Sequence, residues 1–207
     1  MIALIDYGAG NLTSVRKAFA AVGAGFVTPG SPADLAHVDG IVVPGVGHFG
    51  ATASLDASWR EAIRARVADG CPLFGICLGM QWLFEESTEA PGVPGLGLVA
   101  GRCTRIDDRD GTLKVPHVGW NALSMPRPSR LLDGVSGGAY VYFTHSYAAP
   151  VTPATAATST YGTTFAAAVE QDHVSGVQFH PEKSSDAGLQ MIRNFLARCR
   201  HQPAGAR

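Results

Sequence analysis

Charge is scarce in this chain, and the marks of several function classes are missing. Only 16% of its residues are Asp, Glu, Lys or Arg, and the formal net charge is −1. There is therefore no general electrostatic case for nucleic acid or an anionic membrane as a partner. No apolar run nears the roughly 20 residues that span a bilayer. The four cysteines, Cys71, Cys77, Cys103 and Cys199, form no CxxC and no metal-ligand spacing, and HExxH is absent. Metal-dependent hydrolysis is thereby disfavoured. An even number of cysteines allows disulfides. The opening Met1-Ile-Ala-Leu-Ile-Asp6 carries no basic leader, however, and a reduced, cytoplasmic chain is expected. A surface this poor in charge also suggests that a partner covers part of it.

Glycine and apolar residues fill the gap, with 25 Gly and 46% hydrophobic residues in 207. That length buries one large core, so a single domain over 1–200 with a polar tail over 201–207 is expected. Continuous apolar runs at Ile2–Ile5, Gly40–Val43 and Cys71–Ile76 have the texture of parallel strands buried on both faces. Helical periodicity marks Leu12–Val22, Ala51–Ala68 and Asp186–Cys199, with Trp59 in the core and Asp186 as a cap. Met80–Glu85 is a further helix-forming run. From Glu89 to Thr164 the chain is rich in Gly, Pro and Thr. Its short apolar stretches, Leu96–Ala100, Cys103–Ile106, Thr112–Val115 and Ala139–Phe143, suggest antiparallel strands, with Pro116–Asn121 as a loop. Phe165–Glu170 and Val174–Phe179 predict two more strands.

The stretch that organises the rest is Gly75-Ile76-Cys77-Leu78-Gly79-Met80-Gln81. A strand, a sharp glycine-bracketed turn and a helix would set Cys77 at a nucleophile elbow, with free backbone N–H groups aimed at its sulfur. A cysteine following Leu-Phe-Gly-Ile is equally at home as a small core residue, so the reading depends on a base elsewhere. His180-Pro181-Glu182 supplies one, at the end of its own strand. Glu182, two residues on in an extended segment, shares a face with His180 and can orient its imidazole. Asp6, Glu170 and Asp172 are weaker orienters, and His37, His48 and His173 have no assignable role. The loop Pro44-Gly45-Val46-Gly47-His48-Phe49-Gly50 can aim N–H groups at an oxygen, as the second wall of an oxyanion hole. The turn Asp6-Tyr7-Gly8-Ala9-Gly10-Asn11 suggests dinucleotide binding, but Thr13 stands at the third glycine position of GxGxxG. A tight turn with Asn11 as cap, or a contact with a partner, fits as well.

These segments together resemble the class I (triad) glutamine amidotransferases. The resemblance runs over essentially the whole chain: Asp6–Val15, Pro44–Gly50, Gly75–Gln81, Pro116–Asn121, Phe143–Tyr147 and His180–Ser184, with Trp82 and Ser185 as local differences. It implies a three-layer, flavodoxin-like α/β fold with a mostly parallel central sheet, helices on both faces and an antiparallel extension. It also implies hydrolysis of L-glutamine through a cysteine thioester, with Cys77 as nucleophile, His180 as base and acid, and Glu182 as orienter. By the same resemblance, backbone N–H groups at Val46, Gly47 and Leu78 stabilise the oxyanion, while Gly47, Gln81, His145, Ser146 and Tyr147 hold glutamine. No cofactor or metal is called for. The partner it implies is a (βα)8-barrel cyclase subunit in a heterodimer, met at Asn11, Trp120 and Asn121. Three alternatives remain: the glutaminase of pyridoxal phosphate synthase, a cysteine peptidase of similar fold, and a non-catalytic assembly protein. The first is opposed by Gly45-Val46-Gly47 and by His117–Asn121.

Overall fold

In a computed structural model, described for residues 1–200, the parallel strands expected from the apolar runs form the centre of one sheet. The first half of the chain alternates: β1 (Ile2–Leu4), α1 (Leu12–Ala20), β2 (Phe26–Val27), β3 (Gly40–Val43), α2 (Ala57–Ala68), β4 (Leu73–Ile76) and α3 (Leu78–Trp82). Short strands follow: β5 (Glu86–Ser87), β6 (Arg102–Arg105), β7 (His117–Ala122), β8 (Tyr140–His145) and β9 (Tyr147–Ala148). The chain closes with β10 (Thr155–Tyr161), β11 (Thr163–Gln171), β12 (Val174–Val177) and α4 (Ser185–Arg200). The polar tail expected over 201–207 lies outside the described residues.

The main sheet has the order β10-β11-β12-β4-β3-β1-β2. Strands β12, β4, β3, β1 and β2 run parallel, and β10 and β11 add an antiparallel edge. Period-2 alternation divides each strand between two cores. Ile2, Leu4, Val42, Phe74 and Ile76 pack under α1 and α4, whereas Ala3, Ile5, Ile41, Val43 and Leu73 pack under α2 and α3. Both faces are apolar, so the strands read as unbroken hydrophobic runs.

Several boundaries differ from the sequence expectation, each for a local reason. The helix expected from Ala51 starts at Ala57, because the Asp56 carboxylate accepts from the backbone N–H groups of Ser58 and Trp59 and sets the start there. The residues before it form a 3-10 turn over Phe49–Ser54. Trp59 is half-buried, packed against the core edge rather than within it. Leu96–Ala100 and Thr112–Val115 form no strand. The segment expected to loop through Trp120 is instead β7, paired residue for residue with β8 from His117↔His145 to Ala122↔Tyr140. Asp186 lies in the first turn of α4, not at its cap.

Candidate active site

The carboxyl ends of β1, β3, β4 and β12 lie side by side, and the loops leaving them build one cleft. This is where an open parallel sheet presents its free backbone groups. Pairing of Val177 with Ile76 puts the segments after β12 and β4 next to each other. Cys77 and His180, far apart in sequence, therefore meet. Cys77 adopts φ 53° and ψ −107°, a conformation seldom taken by a residue with a side chain. The elbow closes because its neighbours lack a Cβ. One on Gly75 would lie 2.6 Å from the Gly79 carbonyl oxygen, and one on Gly79 would run into the carbonyl of Val43. Only glycine lets α3 back this closely onto β3 and β4.

His180 Nδ1–H donates to Glu182 Oε1 over 2.8 Å, and both side chains are only 3% exposed. Burial alone would hold this ring neutral. The hydrogen bond to Glu182 and the charges of Cys77 and Glu182 outweigh it and push His180 up to about 9. Glu170, a weaker orienter by sequence, lies elsewhere, with Arg198 at 3.1 Å and the Ser129 hydroxyl at 2.5 Å. His48 accepts from the Gly50 N–H and caps the 3-10 turn. The Asn11 side chain accepts from Ser14 N–H and caps α1, as expected.

In front of Cys77 lies a cavity of about 270 Å³, a size suited to a small molecule such as an amino acid. Val46, Gly47, Leu78 and Gln81 form one side, and His145, Ser146 and Tyr147 the other, so every residue expected to bind glutamine or face its oxyanion is there. Thr144, from the Phe143–Tyr147 segment, also lines it, as does Glu89, which sequence reasoning passed over. Glu89 brings a carboxylate whose Oε2 accepts from Phe49 N–H at 2.7 Å.

Gln178 was also missed. Its Nε2 lies 3.7 Å from Cys77 Sγ, while its Oε1 accepts from Gln81 Nε2 at 3.1 Å. Gln81 Nε2 donates in turn to the Tyr147 carbonyl at 2.8 Å, which fixes the orientation of both amides. The signal was available: Gln178 is a polar residue within the apolar run Val174–Phe179, two positions before His180 and just past the end of β12. His145 is tied similarly. Its Nδ1–H donates to the Tyr147 carbonyl at 2.9 Å, so its Nε2 accepts, from His117 Nδ1–H at 3.1 Å.

The wall expected to face an oxyanion is closed. Leu78 N–H, the first amide after Cys77, donates to the Gly45 carbonyl over 3.2 Å. A negative oxygen arriving there would face a carbonyl, not a donor. Turning the Gly45–Val46 peptide would free Leu78 N–H and bring the Val46 N–H round.

On the outside of the β7–β8 pair, Val118, Trp120 and Tyr140 are 56%, 50% and 63% exposed. Strand alternation sends Asn121 to the other face, where its Nδ2 donates to the Thr160 carbonyl at 2.9 Å. The structure thus separates Asn121 from the exposed apolar face carrying Trp120, with which the sequence had grouped it. Among the described residues, no group of three His, Cys, Asp or Glu is placed to hold a metal ion, and no helix is long and apolar enough to cross a membrane.

The family described as "Glutamine amidotransferase class-I" matches residues 3–199. A curated relative from Methanothermobacter thermautotrophicus, "Imidazole glycerol phosphate synthase subunit HisH", is 46% identical over 197 residues, covering 95% of this chain and 98% of the relative. The protein of the same name from Natronomonas pharaonis is 46% identical over 207 residues, covering 96% and 94%. Among solved structures, one described as a glutamine amidotransferase superposes with a TM-score of 0.75 at 20% identity, covering 96% of this chain and 99% of that one. The glutaminase domain of Trypanosoma brucei CTPS with bound acivicin gives 0.68 at 19%, covering 98% and 94%. At such identity these two speak for the fold, a three-layer α/β architecture.

Proposed function

The chain belongs to the class-I glutamine amidotransferase family, and from that membership we propose that it is the glutaminase subunit of imidazole glycerol phosphate synthase. One observation carries the reading. Cys77, His180 and Glu182 come together beside an amino-acid-sized cavity in a chain 46% identical, over nearly its full length, to subunits of that name.

Glutamine enters with its side-chain amide over Cys77. Glu89 offers its carboxylate to the α-amino group, and Gly47, Gln81, His145, Ser146 and Tyr147 enclose the rest. The Cys77 thiolate attacks the amide carbon, and His180 gives its Nε2 proton to the departing ammonia, leaving a thioester. Water, deprotonated by His180, then attacks the thioester, releasing glutamate and restoring the Cys77 thiolate beside the protonated His180. Glu182 holds the ring in the tautomer both steps require. The oxyanion of each tetrahedral intermediate needs Leu78 N–H, which the Gly45 carbonyl occupies in the free chain. Glutamine turnover therefore waits until a partner turns that peptide, and ammonia is not made where nothing can use it.

That partner is a (βα)8-barrel cyclase, in a cytoplasmic heterodimer that incorporates the ammonia into imidazole glycerol phosphate for histidine biosynthesis. Docking at the exposed Trp120 face and the Asn11 turn would seat it over the cavity mouth. The test is glutamate release by the pure chain, titrated with the barrel cyclase and its nucleotide ligand. A large rise that saturates near one cyclase per chain and vanishes in Cys77→Ala supports the reading. A steady rate indifferent to the cyclase would assign the triad to a different amidotransferase, and no rate at all would return the chain to the non-catalytic alternative.

A further inference from the structure

Tyr7, just past β1, is 9% exposed, and its hydroxyl has no hydrogen-bond partner. A buried hydroxyl in that state is unfavourable and rarely kept without a use. Its surroundings indicate the use. A Cβ on Gly45 would strike the Tyr7 hydroxyl, so the phenol rests directly on the Gly45 Cα. A Cβ on Gly10, three residues further along the same turn, would lie 3.3 Å from Gly45 Cα and 3.5 Å from Val46 N. The turn thus clasps the peptide that closes the oxyanion wall. Burial, and secondarily the charge of Cys77, keep the phenol protonated and able to donate. The same turn ends in Asn11, which is exposed.

When the Gly45–Val46 peptide turns, the Gly45 carbonyl loses the Leu78 N–H that it now accepts from. An orphaned carbonyl in this buried spot would oppose the turn. We propose that Tyr7 is a positioning residue whose hydroxyl takes over the Gly45 carbonyl in the turned state and so holds the oxyanion hole open. The resting and active states then differ by an exchange of partners. At rest Leu78 N–H is satisfied and the Tyr7 hydroxyl is not; in the active state the hydroxyl is satisfied and Leu78 N–H is free for the oxyanion. A partner bearing on Asn11 acts on the turn that carries Tyr7, which links docking to the hole. The inference rests on the functional reading above.

The experiment is Tyr7→Phe in the complete complex of this chain with the barrel cyclase and its nucleotide ligand. Losing one neutral hydrogen bond from the active state is expected to lower the stimulated kcat about tenfold. The KM for glutamine stays as in the wild type, and the affinity for the cyclase falls by no more than the same factor, because a partner that favours the open state shares the cost of the lost hydrogen bond. The melting temperature of the free chain stays level or rises, because the removed hydroxyl had no partner there. A stimulated kcat equal to wild type would overturn the inference alone. So would a fall in kcat with a raised KM and a lowered melting temperature, the mark of a merely structural role. A wild-type rate indifferent to the cyclase would overturn the functional reading, and this inference with it.

Discussion

Acid should loosen this protein through its cavity wall before its carboxylates titrate. The relevant pair is His117 and His145, buried in contact with each other among Phe143, Tyr161 and Phe165. Burial pushes His145 from its usual 6.5 to about 3 and His117 to about 4. The fold therefore keeps both neutral, whereas the unfolded chain takes up protons below pH 6.5. The stability they confer is complete above 6.5 and is lost as pH falls toward 4 and 3. Between pH 7 and pH 5, His145 alone accounts for a loss of about 2 kcal/mol. His117 stacks on the half-exposed Tyr161, and with solvent screening adds about 1 kcal/mol. His180 works the other way. With its value raised to about 9, its contribution is complete below 6.5 and lost as pH rises through 9, so acidification to pH 5 returns about 1 kcal/mol. The net expectation is a loss of about 2 kcal/mol, read from guanidinium unfolding at the two pH values. His145→Asn keeps a donor for the Tyr147 carbonyl but has no proton to gain. It should be less stable than wild type at pH 7 and lose about 2 kcal/mol less on acidification. Equal losses in both proteins, or a wild type as stable at pH 5 as at pH 7, would refute the reasoning.

Other expectations follow from single contacts. Glu182→Gln keeps an acceptor for His180 Nδ1 but removes the charge; the stimulated kcat should fall about 10- to 100-fold, with the alkaline limb of its pH profile moved to lower pH. An unmoved limb would separate Glu182 from the protonation of His180. Gln178→Leu withdraws the amide facing Cys77 Sγ, and alkylation of Cys77 by iodoacetamide should slow about tenfold. An unchanged alkylation rate would leave Gln178 a packing residue. Gly79→Ala drives a methyl into the Val43 carbonyl and should cost more than about 3 kcal/mol or yield no soluble chain. Gly25→Ala, where nothing lies within 4 Å of the added carbon, should leave the unfolding midpoint nearly unchanged.

The parallel half of this fold was legible because its core strands are apolar runs that stop at sharp turns, glycine-rich after β1, β3 and β4 and proline-containing after β12, and the proposed catalytic group because Cys77 and His180 both stand at such stops. Legibility failed where local texture and tertiary context part. Pro116 and Gly119 made the Trp120 segment look like a loop, yet six cross-strand pairs with β8 hold it extended. Strand β10 is mostly Thr and Ala and has no apolar run to announce it, but pairing with β11 buries four of its seven residues completely or nearly so. Glu89 escaped notice because its part in the site depends on a loop returning to the cavity mouth, which no periodicity records. The closed state of the Gly45–Val46 peptide was unreadable in principle, since glycine is compatible with either orientation.

The two halves of the chemistry are anchored differently, and that difference is what makes control possible. Cys77, His180 and Glu182 follow adjacent, fully buried strands, so the proposed nucleophile, base and orienter already stand together in the free chain. The oxyanion wall is one peptide in a glycine loop, held shut by one hydrogen bond to Leu78 and backed by a hydroxyl with nothing to bind. Driving such a two-state element from 1:99 to 99:1 takes about 5.5 kcal/mol of differential affinity. One well-buried aromatic anchor at an interface contributes about 2–4 kcal/mol. As the proposed docking face, the exposed Trp120, seconded by Val118 and Tyr140, would be the right size to work the switch, provided that part of its binding energy is realised only in the open state. A partner that bound equally well to both states would grip the chain tightly and leave the hole closed.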